Sequence, residues 1–269
     1  MKKIGRCLLS ISAIFIFASF ACFSGTVFAQ EPLTYSCSNQ IYKAFEKENI
    51  EEFTKATGIN VSVYTASSQS CVNRLIHGYS DIASTAREMY HRHTDYGYEQ
   101  IPICKDPLAV ISKKTCQVEN ISEEDLRGLF SGEITNWKEI GGADLPVMVI
   151  VPDENTAANK NFRGLIMKDK EIRHDFITYD STMVLEAIKH FPCGAISFIS
   201  RGATIKYEEI AAIKIDGLSP SDKDYPYFQT FYYVTKGVPS ENAKKLIDFT
   251  TTGKGHEIIL KNGMIPLSQ

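Results

Sequence analysis

One tryptophan, Trp137, and no C-x-x-C pair occur in these 269 residues. Without C-x-x-C or C-x-x-C-H, zinc-ribbon and haem-attachment chemistry have no ligand set. H-E-x-x-H, G-x-S-x-G and the phosphate-binding P-loop are also missing. The enzyme classes built on those motifs therefore have no support here. Cys-His catalysis needs no such motif, but nothing in the chain points to it. There is no basic run, and the formal net charge is −3, which argues against a nucleic-acid partner. After residue 29 no apolar run is long enough to span a bilayer. Repeats, low-complexity tracts and flexible linkers are absent as well. Two lobes in such a chain must interleave in sequence.

What is present begins with a basic head, Lys2, Lys3 and Arg6, and an apolar run from Cys7 to about Phe23. Val27-Phe28-Ala29 closes it. This pattern predicts a secretory signal peptide over 1–29, cleaved after Ala29. A retained anchor and a lipoprotein site at Cys22 are the alternatives. Cleavage takes the formal net charge from −3 to −6, because the leader holds three basic residues and no acid. Cys37, Cys71, Cys104, Cys116 and Cys193 remain. An exported chain favours disulfides, and an odd count leaves at least one thiol unpaired or paired elsewhere. Spacing does not give the connectivity.

Apolar periodicity predicts the elements. Leu33–Ser36 reads as a strand, Ile41–Thr57 as a helix stopped by Gly58, and Ile59–Tyr64 as a strand. A short helix over 72–76 and a buried strand at Asp81-Ile82-Ala83 follow. This β-α-β-α-β order predicts a parallel sheet flanked by helices. Tyr90–Glu99 reads as a surface helix or loop, and Leu108–Ser112 as a strand. Ser122, followed by Glu123, Glu124 and Asp125, opens a helix with a capping hydroxyl and acids in its first turn. Further strands are expected at Val147–Val151, Ala195–Ile199, Ile210–Ile215 and Thr230–Thr235. Helices are expected at Ala158–Met167 and Ser181–Phe191 and as a pair after Ser240. The aromatic row from Tyr225 to Tyr233 predicts a sheet or hinge core.

Four segments, in order, carry a family resemblance. Leu129–Glu154, LFSGEITNWKEIGGADLPVMVIVPDE, resembles the second-lobe signature of the phosphate-type substrate-binding proteins of ABC transporters. His190–Ser200, YYVTKG at 232–237 and LIDFTTTGKGHEIILKNGMIPL at 246–267 resemble its later strands and helices. The resemblance covers almost all of the chain after the leader. It implies two interleaved α/β lobes with a hinge, the type II periplasmic binding protein fold. Lobe one would be 31–107 with 226–269, and lobe two 108–225. It also places Trp137 under the Asn136–Gly142 loop.

The family holds its oxyanion with turns that present N–H groups and hydroxyls at helix starts, where the dipole favours negative charge. The matching turns contain Cys37, Ser38 and Asn39; Ser67, Ser68, Ser70 and Cys71; Thr85 and Arg87; and Asn155, Thr156 and Asn159. The second-lobe turn departs from the family: Ala158 stands where a threonine is usual and Asn159 where an arginine is usual. That removes the bidentate guanidinium an oxyanion would use. Arg87 is the one cation left at a matching position. Cys37 and Cys71 are expected either as a disulfide, as small residues packed under the turns, or as thiols for a soft ligand such as arsenite.

The resemblance implies a monomeric periplasmic protein without cofactor or catalysis. It would capture a small oxyanion or polar solute for an ABC permease or a membrane sensor. A sensory, partner-binding module with an altered pocket is the alternative. His91 and His93 flank Arg92 but do not share a helix face, so surface positions are expected for them.

Overall fold

The computed structural model describes residues 31–90, 94–168 and 170–267. The expected leader, His91 and His93 lie outside them. Alternating and β-branched residues give β1 (Leu33–Ser38) and β2 (Val61–Ala66), paired in parallel from Leu33↔Val61 to Ser38↔Ala66. Between them a helical run passes through α1 (Asn39–Ile41), a π-helical segment Tyr42–Glu46 and α2 (Lys47–Thr57). Gly58 ends it at φ +74°, the left-handed conformation that glycine adopts without penalty. Then α3 (Ser68–Ile76) leads to β3 (Ile82–Thr85), which pairs with β1 in parallel.

β4 (Tyr98–Lys113) is sixteen residues long. The expected strand over Leu108–Ser112 is only its second half. The polar segment before it begins pairing already at Tyr98 and is not a surface helix there. Polar and apolar residues mix in this half because β4 has a neighbour on each side. Its first half pairs antiparallel with β11 (Phe228–Lys236), and its second half with β8 (Ala195–Ser200). The remaining strands are β5 (Asn120–Ile121), β6 (Met148–Pro152), β7 (Phe176–Thr178), β9 (Ile210–Ala212), β10 (Lys214–Ile215) and β12 (Ile265–Pro266). One sheet runs β2-β1-β3-β11-β4-β8-β6-β7. The helices are α4 (Glu123–Ser131), α5 (Ala157–Phe162), α6 (Met183–His190), α7 (Arg201–Thr204), α8 (Glu241–Thr250) and α9 (Gly253–Lys261).

Apolar side chains gather into two large clusters along this sheet. One draws only on residues between Leu108 and Tyr227 and is centred on Phe130, Phe162 and Phe198, the last two stacked at 3.8 Å. The other draws on Leu33–Cys104, Phe231–Met264 and one outlier, Ala157. Trp137 is buried in the first cluster and donates from Nε1 to Gly194 O at 3.0 Å. Gly194 sits at φ +107°, and a Cβ there would meet Pro146 O at 2.5 Å. The single tryptophan thus fastens its loop to a turn that only glycine can make. Tyr225, Tyr227, Phe231 and Tyr233 are all buried, so most of the aromatic row is core.

Cysteine pairing is resolved. Cys116 bonds Cys193, across a sequence separation of 77, while Cys37, Cys71 and Cys104 are free and buried. A Cys37–Cys71 disulfide does not form. Replacing Cys116 and Cys193 by serine releases that long loop and is expected to cost about 2–4 kcal/mol in urea unfolding. In the native protein a thiol reagent should leave the three buried cysteines untouched until unfolding. Rapid labelling of any of them under native conditions would contradict their burial.

A second expectation concerns Glu46, fully buried, whose Oε1 accepts from Tyr233 Oη at 2.6 Å. Burial outweighs that bond and lifts the carboxyl to about 7. Its folded value is therefore raised, so its contribution is fully present below the unfolded range near about 4 and is lost as pH rises through 7. Glu46→Gln keeps an acceptor for Tyr233. It should stabilise the protein by about 3 kcal/mol at pH 8 and hardly at all at pH 4. Equal urea midpoints for the two proteins at pH 8 would show that the buried charge costs nothing.

Candidate functional site

Two parallel strand pairs, β1 with β2 and β6 with β7, end at one cleft of about 480 Å³. Ligands of α/β proteins collect at such carboxyl ends because the chain turns there into helix starts. Each strand contributes its own short turn.

β1 delivers Ser38, Asn39 and Gln40 to the cleft. Ser38 is held from both sides. Its N–H donates to Ser84 Oγ at 3.1 Å, and its Oγ accepts from Ser68 Oγ at 3.2 Å. β2 delivers Tyr64, Thr65 and Ala66, followed by Ser67, Ser68 and Ser70 of the α3 start. Ser67 caps α3, its Oγ accepting from Ser70 N at 3.2 Å. Ser68 Oγ also accepts from Ala86 N at 3.2 Å, which ties the turn after β3 to this arc.

From the other pair, β6 delivers Asp153, Asn155, Thr156 and Ala157. Thr156 caps α5, accepting from Asn159 N at 3.3 Å and donating to Asp153 O at 2.7 Å. Asp153 Oδ1 accepts from Asn155 N at 2.9 Å and folds the turn on itself. β7 delivers Tyr179, Asp180 and Ser181. Asp180 Oδ1 accepts from Thr182 N at 2.7 Å and Thr182 Oγ1 at 2.6 Å at the start of α6. Its Oδ2 accepts from Asn39 Nδ2, a bond that joins the β1 turn to the β7 turn.

Seven of the twelve expected residues come together here: Ser38, Asn39, Ser67, Ser68, Ser70, Asn155 and Thr156. Five do not line the cleft. Cys37 and Cys71 are packed beneath the turns, as the packing alternative expects. Burial holds the Cys37 thiol well above its usual range and pushes Cys71 to about 12. Protonated, covered thiols are poor soft-metal ligands, so the arsenite alternative finds no footing. Thr85 is buried and bonds its own turn, its Oγ1 donating to Arg87 O at 3.2 Å. Arg87 donates to Gln69 Oε1 at 2.6 Å and lies 4.9 Å over the Tyr90 ring, on a separate small recess. Asn159 is buried, donating to Pro152 O at 2.7 Å and accepting from Arg163 Nε at 3.0 Å. Arg163 lines a different hollow, with His174.

Residue-by-residue reading of the sequence missed Gln40, Tyr64, Asp153, Tyr179, Asp180 and Ser181. For Asp180 a signal existed: Asp-Ser-Thr before an apolar helical run is a capping sequence. Thr182 holds the N-cap position without a side-chain cap bond, and the carboxylate of Asp180 accepts from its N–H instead. Among the described residues, no lysine, arginine or histidine lines the cleft.

Comparison with known proteins agrees with this architecture. The phosphate-binding protein PstS of Borreliella burgdorferi is 23% identical over 266 residues, covering 87% of this chain and 94% of its own. The Bacillus subtilis PstS is 27% identical over 157 residues, 56% of this chain. The chain spans about half, 52%, of that relative's length. A Clostridium perfringens structure, described as a phosphate ABC transporter substrate-binding protein with bound phosphate, superposes with a TM-score of 0.80. It is 22% identical, covering 88% of this chain and 100% of that one, so the likeness concerns the fold. A family model described as the PBP superfamily domain matches residues 24–254. The chain is a member of the PBP superfamily, with its two-lobed α/β fold.

Proposed function

We propose that the chain is a solute-binding protein of the phosphate type, which encloses a small oxyanion or polar solute between two lobes. The observation that carries this is the cleft itself: hydroxyls and amides on four strand-end turns, two turns from each side. The lobe limits expected from the resemblance, 31–107 with 226–269 and 108–225, are part of the proposal. The partition of the apolar clusters supports them. The chain crosses between these lobes inside β4, at 107–108, and just before β11, at 225–226, and these two crossings serve as the hinge. Closure about them removes the solute from water, where each hydrogen bond to it counts for more.

The turn residues Ser38, Asn39, Ser67, Ser70, Asn155 and Thr156 are the proposed ligand contacts. The partner is an ABC permease or a membrane sensor, and the site of action is the periplasm. The description of the Clostridium perfringens structure as an ABC transporter substrate-binding protein supports the permease. Among the described residues no helix is long and apolar enough to cross a membrane. Binding, not turnover, is the proposed activity. The protein acts as a monomer, without nucleic acid or cofactor.

Thermal unfolding with phosphate, sulfate, molybdate, arsenate and their small organic esters tests the proposal. A true ligand at one hundred times its dissociation constant adds about 2.7 kcal/mol of stability. Absence of a shift with every one of them, or steady hydrolysis of an added phosphoester, would overturn a binding function of this kind.

A further inference from the structure

The cleft carries two carboxylates, Asp153 and Asp180, and among the described residues no side chain of opposite charge. The two acids are neighbours by construction. β6 and β7 pair in parallel with Pro152 opposite Thr178, and Asp153 N donates to Thr178 O at 2.8 Å. Asp153 directly follows the paired position and Asp180 lies two beyond it. A ligand that is only an anion meets like charge on this side of the cleft.

Tyr179 stands between these strands' turns, 90% exposed, and lines the same cleft. Tyr64 lines it from the β2 side, but the Arg74 guanidinium already lies 4.0 Å over its ring. The open Tyr179 face beside two carboxylates is the environment that attracts an ammonium group. The opposite wall is chemically different. Ser38, Ser67 and Ser70 supply neutral hydroxyls and no acid.

Gln40 gives an independent sign that a ligand belongs here. It lines the cleft, is 1% exposed, and neither Oε1 nor Nε2 has a hydrogen-bond partner among the described residues. A buried amide left unpaired is costly. A solute offering both a donor and an acceptor would meet that need.

Resting on the solute-binding function above, we propose that the preferred ligand is a zwitterion, an oxyanion joined to an ammonium group. The oxyanion end takes the hydroxyl wall of Ser38, Ser67 and Ser70. The ammonium end lies against Asp153, Asp180 and Tyr179. A cleft of about 480 Å³ has room for both ends.

Isothermal titration of the purified protein with four probes decides it: phosphoethanolamine, ethyl phosphate, inorganic phosphate and ethanolamine. Phosphoethanolamine is expected to bind about tenfold tighter than ethyl phosphate, which differs from it by the ammonium group. Asp153→Asn and Asp180→Asn, made separately, should each shrink that ratio severalfold. Asp153→Asn retains an acceptor for Asn155 N; should Asp180→Asn fail to fold, the other variant and the wild-type ratio still decide. Equal or tighter binding of ethyl phosphate or inorganic phosphate overturns the zwitterion and leaves the solute-binding function standing. Ethanolamine binding as tightly as phosphoethanolamine overturns it too, since the oxyanion end would then contribute nothing. If none of the four binds, the phosphate-type function falls together with this proposal.

Discussion

The antiparallel pairing of β4 with β11 is the constraint on which everything else depends. Phe228 to Lys236 lie against Tyr98 to Pro107, and beyond this pair β4 runs on from Leu108 into the other apolar cluster. Near one end of this pair, next to Phe228 and Pro107, Gln229 faces Asp106, and both are buried. Gln229 Nε2 donates to Asp106 Oδ2 at 2.9 Å, and Gly202 N donates to Oδ1 at 3.1 Å. Burial lifts the Asp106 carboxyl to about 6 against the bonds that hold it. Gln229 Oε1 in turn accepts from Asn161 Nδ2, which also reaches Ala86 O at 2.7 Å. One polar chain therefore ties the two long strands to the α5 end on one side and to the turn after β3 on the other. A buried network of this sort fixes geometry only while every member is satisfied.

The parts of the fold that follow local chemistry were legible in the sequence. Gly58 as a helix terminator, Ser122 as a cap and the alternation of β1 and β2 are set by residues within a few positions. β4 was half legible. Leu108–Ser112 is apolar because it lies inside the larger cluster, but Tyr98–Pro107 is a strand only because β11 lies against it, some 130 residues later. β7 was not legible at all. Its three residues, Phe-Ile-Thr, sit at the sheet edge and are mostly exposed, so no periodicity marks them. Losing β7 meant losing its turn, and with it Tyr179 and Asp180.

The candidate site shows the same division. Serine and threonine caps announce themselves, so Ser67 and Thr156 were found. Where a side chain points is a tertiary matter. Arg87 sits in a position the family uses, yet Gln69 and Tyr90 engage its guanidinium elsewhere. Asn159 likewise turns inward, to Pro152 and Arg163. The sequence already showed the missing second-lobe arginine. Only the structure shows that no other described cation takes its place and that two carboxylates do the facing instead.

The three unpaired cysteines among the described residues bear on how the Cys116–Cys193 crosslink forms. Cys116 and Cys193 are far apart in sequence, whereas Cys104 is much nearer to Cys116. In an unfolded chain the shorter loop closes more readily. If oxidation came first, a wrong pair would have the advantage. Burial of Cys104, Cys37 and Cys71 in packed strands and helices removes those competitors once the chain has folded. An oxidant that arrives before folding meets three competing thiols, whereas one that arrives after it meets only the native pair.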